Sequence, residues 1–142
     1  MEANELRIGN LLKHTNNHIF LRKVWDTIIK LSGQEIFFIS VSQTEKNVYY
    51  EPIPLTEDWL LKLGFENFDG NMILLSKHPN TYLFVNKIRQ NDDCFNSVFM
   101  QQYIGDTGNY NIVHLLNINF VHQLQNLYFA LTGTELSLKS DI

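Results

Sequence analysis

The first fifty residues alternate β-prone runs with turn residues. His18–Trp25, Thr27–Ser32, Glu35–Ser42 and Asn47–Glu51 are rich in branched and aromatic side chains, and Asn16–Asn17, Trp25–Asp26, Ser32–Gly33–Gln34 and Gln43–Asn47 punctuate them. Gly and Asn tolerate positive φ, and Asp and Ser bond their own backbone, so the breaks read as hairpin connections. Four such strands predict an antiparallel meander curled into a small barrel. Pro52 and Pro54 then remove backbone donors within Glu51–Leu55, which excludes a central strand there. This sets a boundary between a small β-barrel-like lobe, 1–52, and a second lobe, 53–142.

The pattern changes period after the boundary. Thr56 reads as an N-cap, Glu57 and Asp58 complement the positive end of the helix dipole, and Gly64 offers a left-handed exit. Leu55 and Leu60 are spaced as a hydrophobic staple, so a helix over Glu57–Leu63 is expected. Asn71–Ser76, Thr81–Arg89, Ser97–Tyr103 and Tyr110–Leu116 follow as strands at hairpin spacing. Phe120, Leu124, Leu127, Tyr128 and Leu131 recur at helical spacing, with His122, Gln123, Gln125 and Asn126 expected to face outward and Gly133 to end the helix. The tail from Ser137 to Ile142 is expected to fray. The fold class is α+β, with an α-β-β-β-β-α second lobe whose helices cover one face of an antiparallel sheet.

Composition supports a folded chain. The 142 residues are 44% hydrophobic and 13% aromatic, with ten Phe and six Tyr, whereas disorder needs low hydrophobicity and high net charge. The net charge of −4 carries no basic stripe: eleven Lys and Arg are scattered singly apart from Arg22–Lys23. General nucleic-acid binding, which requires clustered cations, is not expected. One cysteine, Cys94, permits neither an intrachain disulfide nor a thiolate metal cage. The start MEANELRIGN lacks a signal-peptide pattern, and no apolar run reaches the roughly 20 residues that span a bilayer. A cytoplasmic protein with no membrane partner is expected.

Candidate chemistry is sparse. His14 and His18 frame HTNNH without the glutamate of a zinc-binding HExxH helix, and Asn16–Asn17 point to a hairpin tip. Asp92 and Asp93 beside Cys94 disfavour its thiolate. Gly105–Asn109 lacks the Lys-Ser/Thr ending of a phosphate-binding loop and reads as a hairpin turn. His114 on a strand and His122 on the last helix could pair as acid and base, yet no nucleophile or metal signature accompanies them. No catalytic residue, metal ligand or cofactor is assigned. What remains is a polar-aromatic group: Arg89, Gln101, Tyr103, Asn109, Tyr110 and His114. Tyr and Asn offer stacking faces and donors, and Arg can clamp a phosphate.

Three segments, ELRIGN, EPIPLTEDWLLKLGFE and FVHQLQNLYFALTGTEL, resemble a family of proteins of unassigned activity encoded by Bacteroidetes genomes, their prophages and phages. The resemblance spans most of the chain and implies a mobile-element protein acting inside a bacterial host; it carries no functional residues across. Cap, staple and glycine-exit chemistry accounts for the last two segments as fold determinants. The expectation is a non-enzymatic binding protein directed at a host protein, such as a defence factor, or at a small nucleotide-like signalling molecule. A homo-oligomer with ligand sites at subunit contacts is one form it could take. The alternatives are a small metal-dependent nuclease or phosphodiesterase using His114 or His122, and a virion assembly factor.

Overall fold

The computed structural model describes residues 3–18, 23–42, 50–67, 72–78, 81–87, 95–104 and 108–139. The fold is α+β, with antiparallel sheets and helices arranged in two compact units. Unit 1 comprises Met1–Ile53 and Phe120–Glu135; unit 2 comprises Pro54–Asn119 and Leu136–Ile142.

Unit 1 contains strands β1 (Leu11–His18) and β2 (Lys23–Lys30), helix α1 (Gly33–Ser42), the short strand β3 (Tyr50–Glu51) and helix α3 (Val121–Thr132). The expected barrel is replaced by a three-stranded sheet of order β2-β1-β3. Two local features explain the difference. Asn16 and Asn17, expected in a turn, lie inside β1 opposite Trp25 and Val24, so one long hairpin replaces two short ones. Glu35–Ser42, expected as a strand, is helical, and Ser32 serves its start: its carbonyl accepts from Ile36 N–H at 3.3 Å and its side chain bonds the first turn. The Ser32 N–H and hydroxyl both donate to the Glu35 carboxylate, while Gln34 N–H donates to the Ser32 hydroxyl at 3.2 Å. These bonds to the charged form hold the Glu35 pKa below its usual value. Ile39, with the half-buried Ile36 one turn earlier, then packs against Leu6, Leu12 and Leu31. Tyr50 joins this core, and burial, followed by the Glu35 charge, raises its hydroxyl pKa.

Unit 2 contains helix α2 (Glu57–Lys62) and strands β4 (Glu66–Asn67), β5 (Met72–His78), β6 (Thr81–Lys87), β7 (Phe95–Ile104) and β8 (Asn109–Asn117), which form one antiparallel meander in chain order. Thr56 has the extended backbone of an N-cap but makes no side-chain cap bond. The exit is as expected: Gly64 adopts φ 94°, its N–H donates to Leu61 O, and Phe65 N–H donates to Leu60 O, both at 3.0 Å. That double closure is a Schellman motif, and it turns Phe65 inward beside buried Leu60 and Leu63. Of the tail expected to fray, Lys139 N–H donates to Lys62 O at 2.7 Å, three residues after the buried Leu136, and 140–142 lie outside the described residues.

Helix α3 belongs to unit 1 and not to the sheet of unit 2, where the stripe of Phe120, Leu124, Leu127, Tyr128 and Leu131 had directed it. Its buried residues are Val121, His122, Leu124, Gln125 and Tyr128, whereas Leu131 is exposed. The buried stripe is thus rotated toward the polar side, and His122 and Gln125, expected outside, are inside. Gly133 ends the helix at φ 69° as expected.

Candidate contact face on the second sheet

The two sequence segments at the ends of the chain meet in unit 1, and their polar groups answer one another. Gln125 Oε1 accepts from Leu11 N–H at 2.8 Å while its Nε2 donates to Gly9 O at 3.4 Å. Asn126 Nδ2 donates to Glu5 O at 2.7 Å, and its Oδ1 accepts from Asn10 Nδ2 at 2.9 Å. Asn10 Oδ1 in turn accepts from Arg7 N–H at 2.7 Å. The Arg7 guanidinium lies 3.6 Å from the Phe129 ring centre and pairs with Glu135 at 2.8 Å. Four of these bonds engage backbone groups of the segment leading into β1, namely Glu5 O, Arg7 N–H, Gly9 O and Leu11 N–H. ELRIGN and VHQLQNLYFALTGTEL are therefore a structural clasp in which the side chains of Asn10, Gln125 and Asn126 are already engaged.

His122 sits beside this clasp at 1% exposure, stacked on Phe120 with ring centres 5.8 Å apart. Among the described residues neither ring nitrogen has a hydrogen-bond partner. Burial lowers its pKa, with the Glu5 charge a smaller opposing influence, so the ring is held neutral. A nitrogen enclosed in this way cannot reach a substrate, which removes His122 from the acid–base pair. His14, expected at a hairpin tip, is within β1 opposite Thr27 and Tyr50, its ring 4.8 Å from that of Tyr50. Among the described residues no group of three or more His, Cys, Asp or Glu could hold a metal ion.

Unit 2 arranges its aromatic residues differently. Strand register sets Phe84 opposite Phe99 and Phe99 opposite His114; the next row is Tyr82, Gln101 and Ile112. Directly paired residues project to the same side of a sheet, and alternate residues share that side. The Phe84 and Phe99 rings stack at 4.9 Å with a 7° interplanar angle, and Phe99 stands 6.0 Å from His114. Phe84 is buried, Phe99, Gln101 and Tyr82 are intermediate, and His114, Ile112 and Tyr110 are exposed. The face thus grades from a packed aromatic stack on β6 to open apolar surface on β8, where Tyr110 and Ile112 are 52% and 50% exposed. Val98 and Val85, on the opposite side, are fully buried.

Of the expected contact residues, Gln101, Tyr110 and His114 come together on this face, and Tyr103 holds the register position opposite Tyr110. Asn109 is exposed but lies out of phase with Tyr110, on the other side of β8. Arg89 lies outside the described residues, as do Cys94, Asp92, Asp93 and the 105–107 segment. Tyr82, Phe84, Phe99 and Ile112 complete the face, and the sequence does not single them out. Their alternation read only as strand patterning, and the cross-strand rows depend on register, which a single strand does not disclose. Helix α1 exposes a second apolar group, Phe37, Phe38 and Val41, in unit 1. No described helix is long and apolar enough to cross a membrane. No family model, curated protein or solved structure matches the chain.

Proposed function

We propose that this chain is a non-enzymatic binding protein of phage or prophage origin that acts by stoichiometric contact with a protein of its bacterial host. The observation that carries the reading is the graded aromatic face of β6, β7 and β8, with Tyr110, Ile112 and His114 exposed at its open end. Aromatic and apolar side chains on a rigid sheet supply contact area at little entropic cost, which is the character of interface anchors. A protein suits this face better than a nucleotide-like molecule. Small ligands favour enclosed concave sites, whereas this face is an open sheet surface. Tyr82, Phe84, Phe99, Gln101, Tyr110, Ile112 and His114 also provide no lysine or arginine for a phosphate. The resemblance of the three sequence segments to mobile-element proteins supports the host cytoplasm as the place of encounter.

The test compares wild type with the double variant Tyr110→Ser/Ile112→Thr as bait in host extract, alongside calorimetry against cyclic and linear nucleotides. The expected result is a stoichiometric companion retained by wild type and lost by the variant, with no nucleotide heat. A companion held equally by both proteins would exclude the face. Nucleotide heat abolished by the variant would replace the protein partner with a small ligand.

A further inference from the structure

Helix α1 is apolar on two sides. Ile36 and Ile39 pack toward Leu6, Leu12 and Leu31 in the unit 1 core, while Phe37 and Val41 are 64% and 61% exposed. Residues four apart lie on one line along a helix, so Gly33, Phe37 and Val41 mark a single ridge on the outward side. Gly33 adds no side chain to that ridge, and Ile8, from the segment before β1, takes its place. Ile8 Cδ1 stands 3.9 Å from where a Cβ of Gly33 would lie, and Ile8 is 65% exposed. The ridge thus carries three apolar groups, Ile8, Phe37 and Val41, at steps of about one helical turn. Phe38 borders it, edge-on to Phe37 with ring centres 6.4 Å apart. The one charged residue of α1, Glu35, lies off the line, and its carboxylate accepts from the Ser32 N–H at 2.8 Å. A helix apolar on both sides has the character of a buried helix, yet the outward ridge of α1 is open to solvent.

We propose that this ridge packs against the same ridge of a second copy, antiparallel, about a two-fold axis at Phe37. Its spacing is self-complementary. Reversing the helix about Phe37 exchanges the Gly33 and Val41 ends, so Phe37 meets Phe37 of the partner subunit and Ile8 meets Val41 of the partner subunit. Interdigitated i, i+4 ridges, crossing at about −50°, are the commonest helix packing in globular proteins. Because the ridge carries no charge, an isologous contact opposes no like charges at its centre. A lipid surface suits it less well: helices that lie on membranes carry Lys and Arg along the polar flank, and α1 has neither. Area favours the second copy too. At roughly 100 Å² for each exposed side chain, the three groups of two copies cover roughly 600 Å². With the usual apolar share of about 60%, the whole contact comes to about 1,000 Å², the size at which specific interfaces begin. A dimer of modest affinity follows. The contact uses no residue of the β6–β8 face and so stands independently of any host partner.

Sedimentation of the full chain over a concentration series reaching about 100 μM reads the outcome. Wild type is expected to rise from the 16.6 kDa chain mass to twice that value. Phe37→Arg sets two cations on the axis and is expected to stay at the single-chain mass with unchanged circular dichroism, because Phe37 is largely exposed. Val41→Lys is expected to weaken association at least tenfold, and Ile8→Asp in the same chain to restore it. That restoration reports a contact between copies, since within one chain the helix separates Val41 from the Gly33 end by about 12 Å. Wild type at the single-chain mass throughout would overturn the proposal, and its co-flotation with phosphatidylcholine vesicles, lost in Phe37→Arg, would give the ridge to a lipid surface instead. A Phe37→Arg chain that still dimerises, or a Val41→Lys chain that Ile8→Asp fails to restore, would equally contradict it.

Discussion

The centre of unit 1 and the β6–β8 face of unit 2 use similar side chains to opposite ends. In unit 1, Gln125 is 2% exposed and bonds Leu11 N–H and Gly9 O, while His122 is enclosed against Phe120. In unit 2, Gln101 and His114 stand in cross-strand rows with Ile112 and Phe99, partly or fully in contact with solvent. A buried amide that completes backbone bonding cannot also recognise a partner, because breaking its bonds leaves the desolvated groups uncompensated. An amide on an open sheet face has no such commitment. Residue type alone therefore does not mark a contact site; what marks it is whether the fold has already used the group.

The contrast can be broken most forcefully at Gln125. Gln125→Ala strands a buried N–H and a buried carbonyl, and each orphaned group costs about 1–3 kcal/mol, so urea unfolding should show a loss of about 3 kcal/mol. Asn10→Ala removes the acceptor for Arg7 N–H and the donor to Asn126, and a smaller loss of about 2 kcal/mol is expected in the same assay. Gly133→Ala should cost about 1 kcal/mol through its left-handed φ of 69°, since a Cβ there meets nothing within 4 Å.

His122 makes the buried centre of unit 1 sensitive to pH. Its pKa is lowered in the folded state, so the unfolded chain binds the proton more readily, and stability must fall as protons are added. The contribution is fully present above the ordinary histidine value of 6.5 and is lost as pH drops from there through the folded value. His122→Phe keeps the stack on Phe120 without a titratable ring, and melting temperatures across this window should show a smaller acid-side decline than wild type. The smallest effect on stability belongs to the contact face: Tyr110→Ser/Ile112→Thr should stay within about 0.5 kcal/mol of wild type in urea, because both positions are about half exposed.

Much of unit 2 was legible in the sequence. Its strands are separated by turn residues, and PIPLTEDWLLKLGF specifies α2 and its glycine exit by local chemistry alone. Unit 1 was less so, for identifiable reasons. The branched and aromatic run of α1 reads as a strand, whereas the bonds of Ser32 to Glu35 and Gln34 at its start favour a helix. Helical periodicity assigns Gln125 and Asn126 to the solvent side of α3, but their partners, Gly9, Asn10, Leu11 and Glu5, lie more than a hundred residues away in the chain. Polar burial of this kind is invisible to hydrophobic periodicity. Tyr110, Gln101 and His114 were found through their chemistry, but their assembly into rows with Tyr82, Phe84, Phe99 and Ile112 required the register of three strands.

The most direct test of the central claim is site-specific photocrosslinking in the bacterial host, with the reactive side chain at position 112 on the β8 face or at position 38 on α1, where Phe38 is 59% exposed. A discrete adduct with a host protein is expected from position 112 and none from position 38. An adduct from position 38 with none from position 112 would move the contact surface to unit 1 and contradict it.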